Sequence, residues 1–126
     1  MAQRVDGIAL ARAHLERARR ALEVEDETAA VLWCNLCAEV AVTLIASAQG
    51  IDSRKDHFRR AILARRLFEQ GALPEDFADL MIRLNNERNH AAHEGLPPDL
   101  RGRSWDQVLA SLERLLQAAA EAESVS

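Results

Sequence analysis

The chain has 126 residues, three phenylalanines, two tryptophans, no tyrosine and a formal net charge of −4. That length fits a single domain, residues 1–126, able to bury about two-thirds of its unfolded surface. Its core has to come from Leu, Ile, Val and Ala, an alphabet that favours helix, and its acidity argues against gripping nucleic acid by bulk electrostatics.

The first segment, Met-Ala-Gln-Arg-Val-Asp-Gly, carries an acid early and no apolar stretch, so no secretory signal is expected. A first helix is predicted from about Val5 to Leu22, with Ile8, Leu15, Ala18 and Leu22 on one stripe and arginines opposite. Glu23 to Glu27 is an acidic joint, in which Asp26 or Thr28 can cap the next helix. That second helix, reaching about Ala48 and closing at Gly50, is apolar nearly all round and should lie centrally. Its longest strictly apolar run, Ala29 to Cys34, is too short to span a bilayer, so a cytoplasmic protein without a membrane segment is expected. Cys34 and Cys37 form a C-x-x-C inside this run, with no preceding strand and no further ligands. They read as two small core hydrophobes. Asn35 and Glu39, four apart, are polar exceptions on the same helix, and a carboxylate there needs a partner.

Residues 52–66 carry six bases and two acids, a local +4 against −8 for the rest. Two readings stand: Arg54, Lys55, His57, Arg59 and Arg60 steer a polyanion such as RNA, or they form a solvated helix face. Ser53-x-x-Asp56 reads as a capping box for a third helix that stops at Gly71. Pro74 suits the first turn of a fourth, which runs to about His93 and ends at Gly95. After the rigid loop from Leu96 to Arg103, Ser104-x-x-Gln107 caps a fifth helix through Leu109, Leu112, Leu115 and Leu116. The core should cover about residues 5–117, with the alanine-rich tail 118–126 frayed. The expected fold is all-α, an antiparallel bundle of four to five helices.

Arg88, Asn89 and His93, near the end of the fourth helix, spell R-N-x-x-x-H. A permanent cation, an amide and a group titrating near neutrality are the parts needed to move protons at a phosphodiester. Asn89 and His93 share a helix face, whereas Arg88 lies about 140° from His93 on an ideal helix. Either the helix loosens toward Gly95 or a second copy of the motif supplies the missing group. The stripe Phe77, Leu80, Met81, Leu84 extends to Arg88, so Arg88 is expected to point inward and approach Glu39. That pair would serve either as a structural bridge or as part of a site. His90 and His93 form an H-x-x-H with no third ligand nearby, so no metal and no cofactor is expected. His14, among arginines, reads as exposed, and Trp33 and Trp105 as core or interface anchors.

These residues resemble the HEPN superfamily: compact helical bundles whose signature is an arginine, then a polar residue (often Asn), then a histidine, with four to six residues between arginine and histidine. Arg88-Asn89-His90-Ala91-Ala92-His93 matches with four intervening residues. A long apolar second helix bearing Glu39, and a basic stretch with His57 after it, agree as well. The resemblance implies a metal-independent endoribonuclease, typically a homodimer pairing two motifs in a cleft. His93 would be the general base or acid for attack of the ribose 2′-hydroxyl on the adjacent phosphate. Arg88 would stabilise the phosphate charge, Asn89 would orient either group, and Glu39 would hold Arg88. DNA, lacking that hydroxyl, should bind without reacting. Many relatives are toxins in toxin–antitoxin pairs or in phage defence, so an antitoxin protein is an implied partner. One branch is silenced through a tyrosine two residues past the motif histidine. Gly95 stands at that position here, so that route of control is not expected. The alternative is a non-catalytic HEPN module that binds nucleotide, RNA or a partner protein.

Overall fold

The computed structural model describes residues 6–51, 60–94 and 96–125, apart from the side chains at 92–94 and 125. Among the described residues it has five helices, α1 (Gly7–Glu23), α2 (Glu27–Ala48), α3 (Arg60–Glu69), α4 (Ala78–Glu94) and α5 (Trp105–Val125), and no strand. The fold is the expected all-α helical bundle.

Local chemistry sets most of the ends. Asp6 caps α1 by accepting the N–H groups of Ile8 and Ala9, and Asp26 caps α2 at Ala29. Ser104 and Gln107 exchange reciprocal bonds of 3.1 and 2.9 Å at the start of α5, which is the capping box read from the sequence. Helix α2 closes with Gly50 at φ +78°. There the Ile51 N–H reaches the Ala46 carbonyl and the Gly50 N–H reaches that of Ser47. Helix α3 ends the same way at Gly71. The capping box expected at Ser53 and Asp56 lies outside the described residues.

Helix α2 packs against all four others, while α1 touches α5 and α3 touches α4. Its buried positions run nearly round the helix: Ala30, Val31, Cys34, Asn35, Cys37, Ala38, Ala41, Val42, Ile45 and Ala46. By length and composition α2 could cross a membrane, but 56% of its most apolar window is buried inside the bundle. Trp105 Nε1 donates to Glu27 at 2.8 Å, so α2 and α5 start side by side. Near their other ends Ala48 and Gln49 line one groove with Ala118, Glu121 and Ala122. These two helices therefore run the same way, and α1 and α4 run against them.

Two boundaries differ from expectation. Helix α4 begins at Ala78 rather than around Pro74. Asp76 accepts the Ala78 N–H at 2.9 Å and is itself held by Arg65 at 3.2 Å, which fixes the helix start past the proline. Helix α5 extends through the tail expected to fray, residues 118–126, as far as Val125 among the described residues. Ala119 is fully buried and Ala118 nearly so, because small side chains let the last turns of α5 lie close on the bundle.

Candidate functional site

The face of α4 that turns toward α2 and α3 carries Met81, Ile82, Asn85, Asn86 and Asn89. Opposite stand Asn35 and Glu39 from α2 and Arg60 and Ala61 from α3, and together these residues enclose a cavity of about 510 Å³. Volumes of this size accept a nucleotide-sized ligand. The wall is unusual in bearing four side-chain amides, one carboxylate and one guanidinium.

Asn35 is only 2% exposed. Its Nδ2 donates to Glu39 Oε1 at 3.4 Å, the one hydrogen bond that the Glu39 carboxylate makes among the described residues. One turn on, the Thr43 hydroxyl donates to the Glu39 carbonyl at 2.8 Å and accepts from Arg60 Nε at 3.1 Å. The start of α3 is thus tied to the turn of α2 that presents Glu39. The sequence reading singled out Asn35, Glu39 and Arg60, and the fold brings them together. It did not pick out Thr43, Asn85 or Asn86. A signal was present, since three asparagines within five residues of one helix give up helix propensity without capping anything.

The expected approach of Arg88 to Glu39 is not found: among the described residues no ion pair joins them. Arg88 is half-buried, its Nη2 donates to Asn89 Oδ1 at 3.4 Å, and it does not line the cavity. The inward stripe of α4 continues from Leu84 to Glu87 and Ala91 instead, both buried. From Leu84, steps of three and of four residues both stay on one helix face, so periodicity alone did not separate Glu87 from Arg88. Glu87 accepts the backbone N–H of Asp99 and lies 3.6 Å from Arg83 and 3.4 Å from His90 Nδ1.

Asn89 is the motif residue on the cavity wall. His93 stands four residues further along α4, in its last turn; its side chain lies outside the described residues, as do Arg54, Lys55, His57 and Arg59. Of the basic segment's later members, Arg65 pairs with Asp76 at 3.2 Å and Asp79 at 3.1 Å, so it clamps α3 to α4.

Away from the cavity, His14 is half-buried rather than simply exposed. It stacks on Trp33 with ring centroids 5.4 Å apart, and Arg17 lies 5.0 Å over the same indole. Burial first, and the Arg17 charge second, lower the His14 pKa. Cys34 and Cys37 are free thiols in the core. Burial pushes both up to about 12, which leaves them unreactive near neutrality.

The family model described as HEPN domain matches residues 7–122. No curated protein and no solved structure matches the chain.

Proposed function

The chain belongs to the HEPN domain family, and we propose on that basis that it is an endoribonuclease acting through Arg88, Asn89 and His93. The observation that carries this reading is the place of Asn89: the central residue of the R-N-x-x-x-H run lies on the wall of a nucleotide-sized cavity beside Glu39 and Arg60. In this reading His93 takes the proton of the ribose 2′-hydroxyl. The new O2′–P bond forms as the P–O5′ bond breaks, and a proton returns to the 5′-oxygen, leaving a 2′,3′-cyclic phosphate. Arg88 and Asn89 stabilise the charge that develops on the phosphoryl oxygens.

Arg88 stands off the cavity wall, which favours a homodimer in which a second copy brings its arginine to the site. Ile62 and Ile82, 52% and 44% exposed, offer a suitable apolar contact. They share a groove with Ala61 and Ala78 that adjoins the cavity through Ala61 and Ile82. A protein that covered this groove and cavity would silence the enzyme, as an antitoxin would, without any tyrosine to modify.

The same position of Arg88 favours a second reading, a HEPN module that binds nucleotide or RNA without cutting. Incubation of a mixed RNA pool in EDTA with the wild type, Arg88→Ala and His93→Ala separates the two. Cutting by the wild type alone, with 2′,3′-cyclic phosphate ends, supports the metal-independent nuclease. Folded dimers of all three that leave RNA intact support the binding module. A monomer at micromolar concentration by light scattering would count against the paired-motif cleft.

A further inference from the structure

Glu39 and the amides around it present a chemistry that phosphate transfer does not require. We propose that the cavity between α2, α3 and α4 is a guanine-binding pocket, with Glu39 as its specificity-determining residue. In RNA cleavage it would seat the base next to the scissile phosphate. That last step rests on the ribonuclease reading, whereas recognition of the base does not.

An ionised carboxylate accepts hydrogen bonds and donates none, and its two oxygens suit two adjacent N–H groups. Among the four RNA bases, guanine alone places two such donors side by side on its Watson–Crick edge, at N1 and the 2-amino group. Adenine and cytosine would offer one amino donor beside a ring nitrogen whose lone pair faces the carboxylate. Uracil has a single imino donor flanked by two carbonyls. Glu39 therefore discriminates by attraction to guanine and by repulsion of adenine and cytosine.

The surroundings fit the same ligand. Asn35, buried beside Glu39, gives one of its two amide N–H groups to Oε1 and so orients the carboxylate. Asn85, on the α4 side of the same wall, can turn its amino group toward the guanine O6 and N7 acceptors. Met81, Ile82 and Ala61 supply apolar surface for the purine faces. Arg60, braced by Thr43, adds positive charge to the same wall. The space of about 510 Å³ holds a base with its ribose and phosphate.

The test is titration of the full chain with 5′-GMP, AMP, CMP and UMP by calorimetry, for the wild type and Glu39→Gln. Alongside it runs cleavage of one RNA in which a single guanosine is replaced by inosine or adenosine. GMP should bind about 10- to 100-fold tighter than the other three, and Glu39→Gln should erase that preference, because its amide sets an N–H against one of the two guanine donors whichever way it turns. Inosine, which lacks the 2-amino group, should lower cutting at that position by about 10-fold. This substitution probes the same contact without altering the protein, so a misfolded variant would not leave the proposal untested. Equal binding of all four nucleotides, binding of none at millimolar concentration, or a guanine preference kept by Glu39→Gln would overturn the pocket. RNA cutting indifferent to the base would overturn the seating of that base at the scissile phosphate while leaving the nuclease standing. Guanine-selective binding without any cutting would keep the pocket and remove the nuclease.

Discussion

Glu87, buried on α4, accepts the backbone N–H of Asp99 and thereby anchors the loop that leads into α5. Arg83 and His90 sit on the same carboxylate from either side along the helix. The bond is part-buried and Asp99 itself is exposed, so losing the charged acceptor costs about 1–2 kcal/mol. Glu87→Ala should lower the urea midpoint by a corresponding amount and speed amide exchange at Asp99. Glu87→Gln, which keeps an acceptor for that N–H, should lose less. Unchanged exchange at Asp99 in Glu87→Ala would show that the contact does not hold the loop.

Helix α1 ends with Glu25 at φ +58°, its N–H on the Leu22 carbonyl and the Asp26 N–H on that of Ala21. This is the turn that Gly50 and Gly71 make at the ends of α2 and α3, here performed by a residue with a Cβ. The left-handed conformation costs an L-residue about 1 kcal/mol more than glycine. Glu25→Gly should therefore stabilise the protein by up to about 1 kcal/mol, read as a higher denaturation midpoint with an unchanged slope. A lower midpoint would refute the strain.

The two core thiols make stability pH-dependent on the alkaline side. Unfolded, each ionises near its ordinary 9.0; folded, each holds its proton to about 12. Their contribution is thus fully present below pH 9 and is lost as pH rises from 9 toward 12, by on the order of 1 kcal/mol per pH unit per thiol. Cys34→Ala and Cys37→Ala should each flatten that alkaline decline. Neither thiol of the folded wild type should react with a thiol reagent at pH 8, and both should react in urea.

If Asn89 stabilises the developing phosphoryl charge, Asn89→Ala should slow RNA cutting by about 10²-fold without unfolding the chain, since its side chain is exposed. Combined with His93→Ala it should add little, because groups that act in one step are not additive. A full additive loss in single-turnover assays would place Asn89 outside that step.

The helices, the caps at Asp26 and Ser104, the closing glycines Gly50 and Gly71, and the central place of α2 were legible in the sequence because each is decided within a few residues. Asp26 meets Ala29, Ser104 meets Gln107, and the apolar run of α2 needs cover on every side. The spacing of Asn35 and Glu39 was legible in the same way, but the partner expected for Glu39 was Arg88, and it is Asn35 that donates to it. The family signature, too, is a local string. Contacts between distant segments were not. Whether Glu87 or Arg88 faced inward depended on the Asp99 loop arriving to meet one of them. The end of α5 stayed helical because it found the bundle to lie on, although its composition suggested fraying. Only the tertiary structure set Asn85 and Asn89 across from Glu39, with Arg60 turned onto Thr43. Helical periodicity assigns a residue to a face, but which neighbour meets that face is set by packing between segments far apart in the chain.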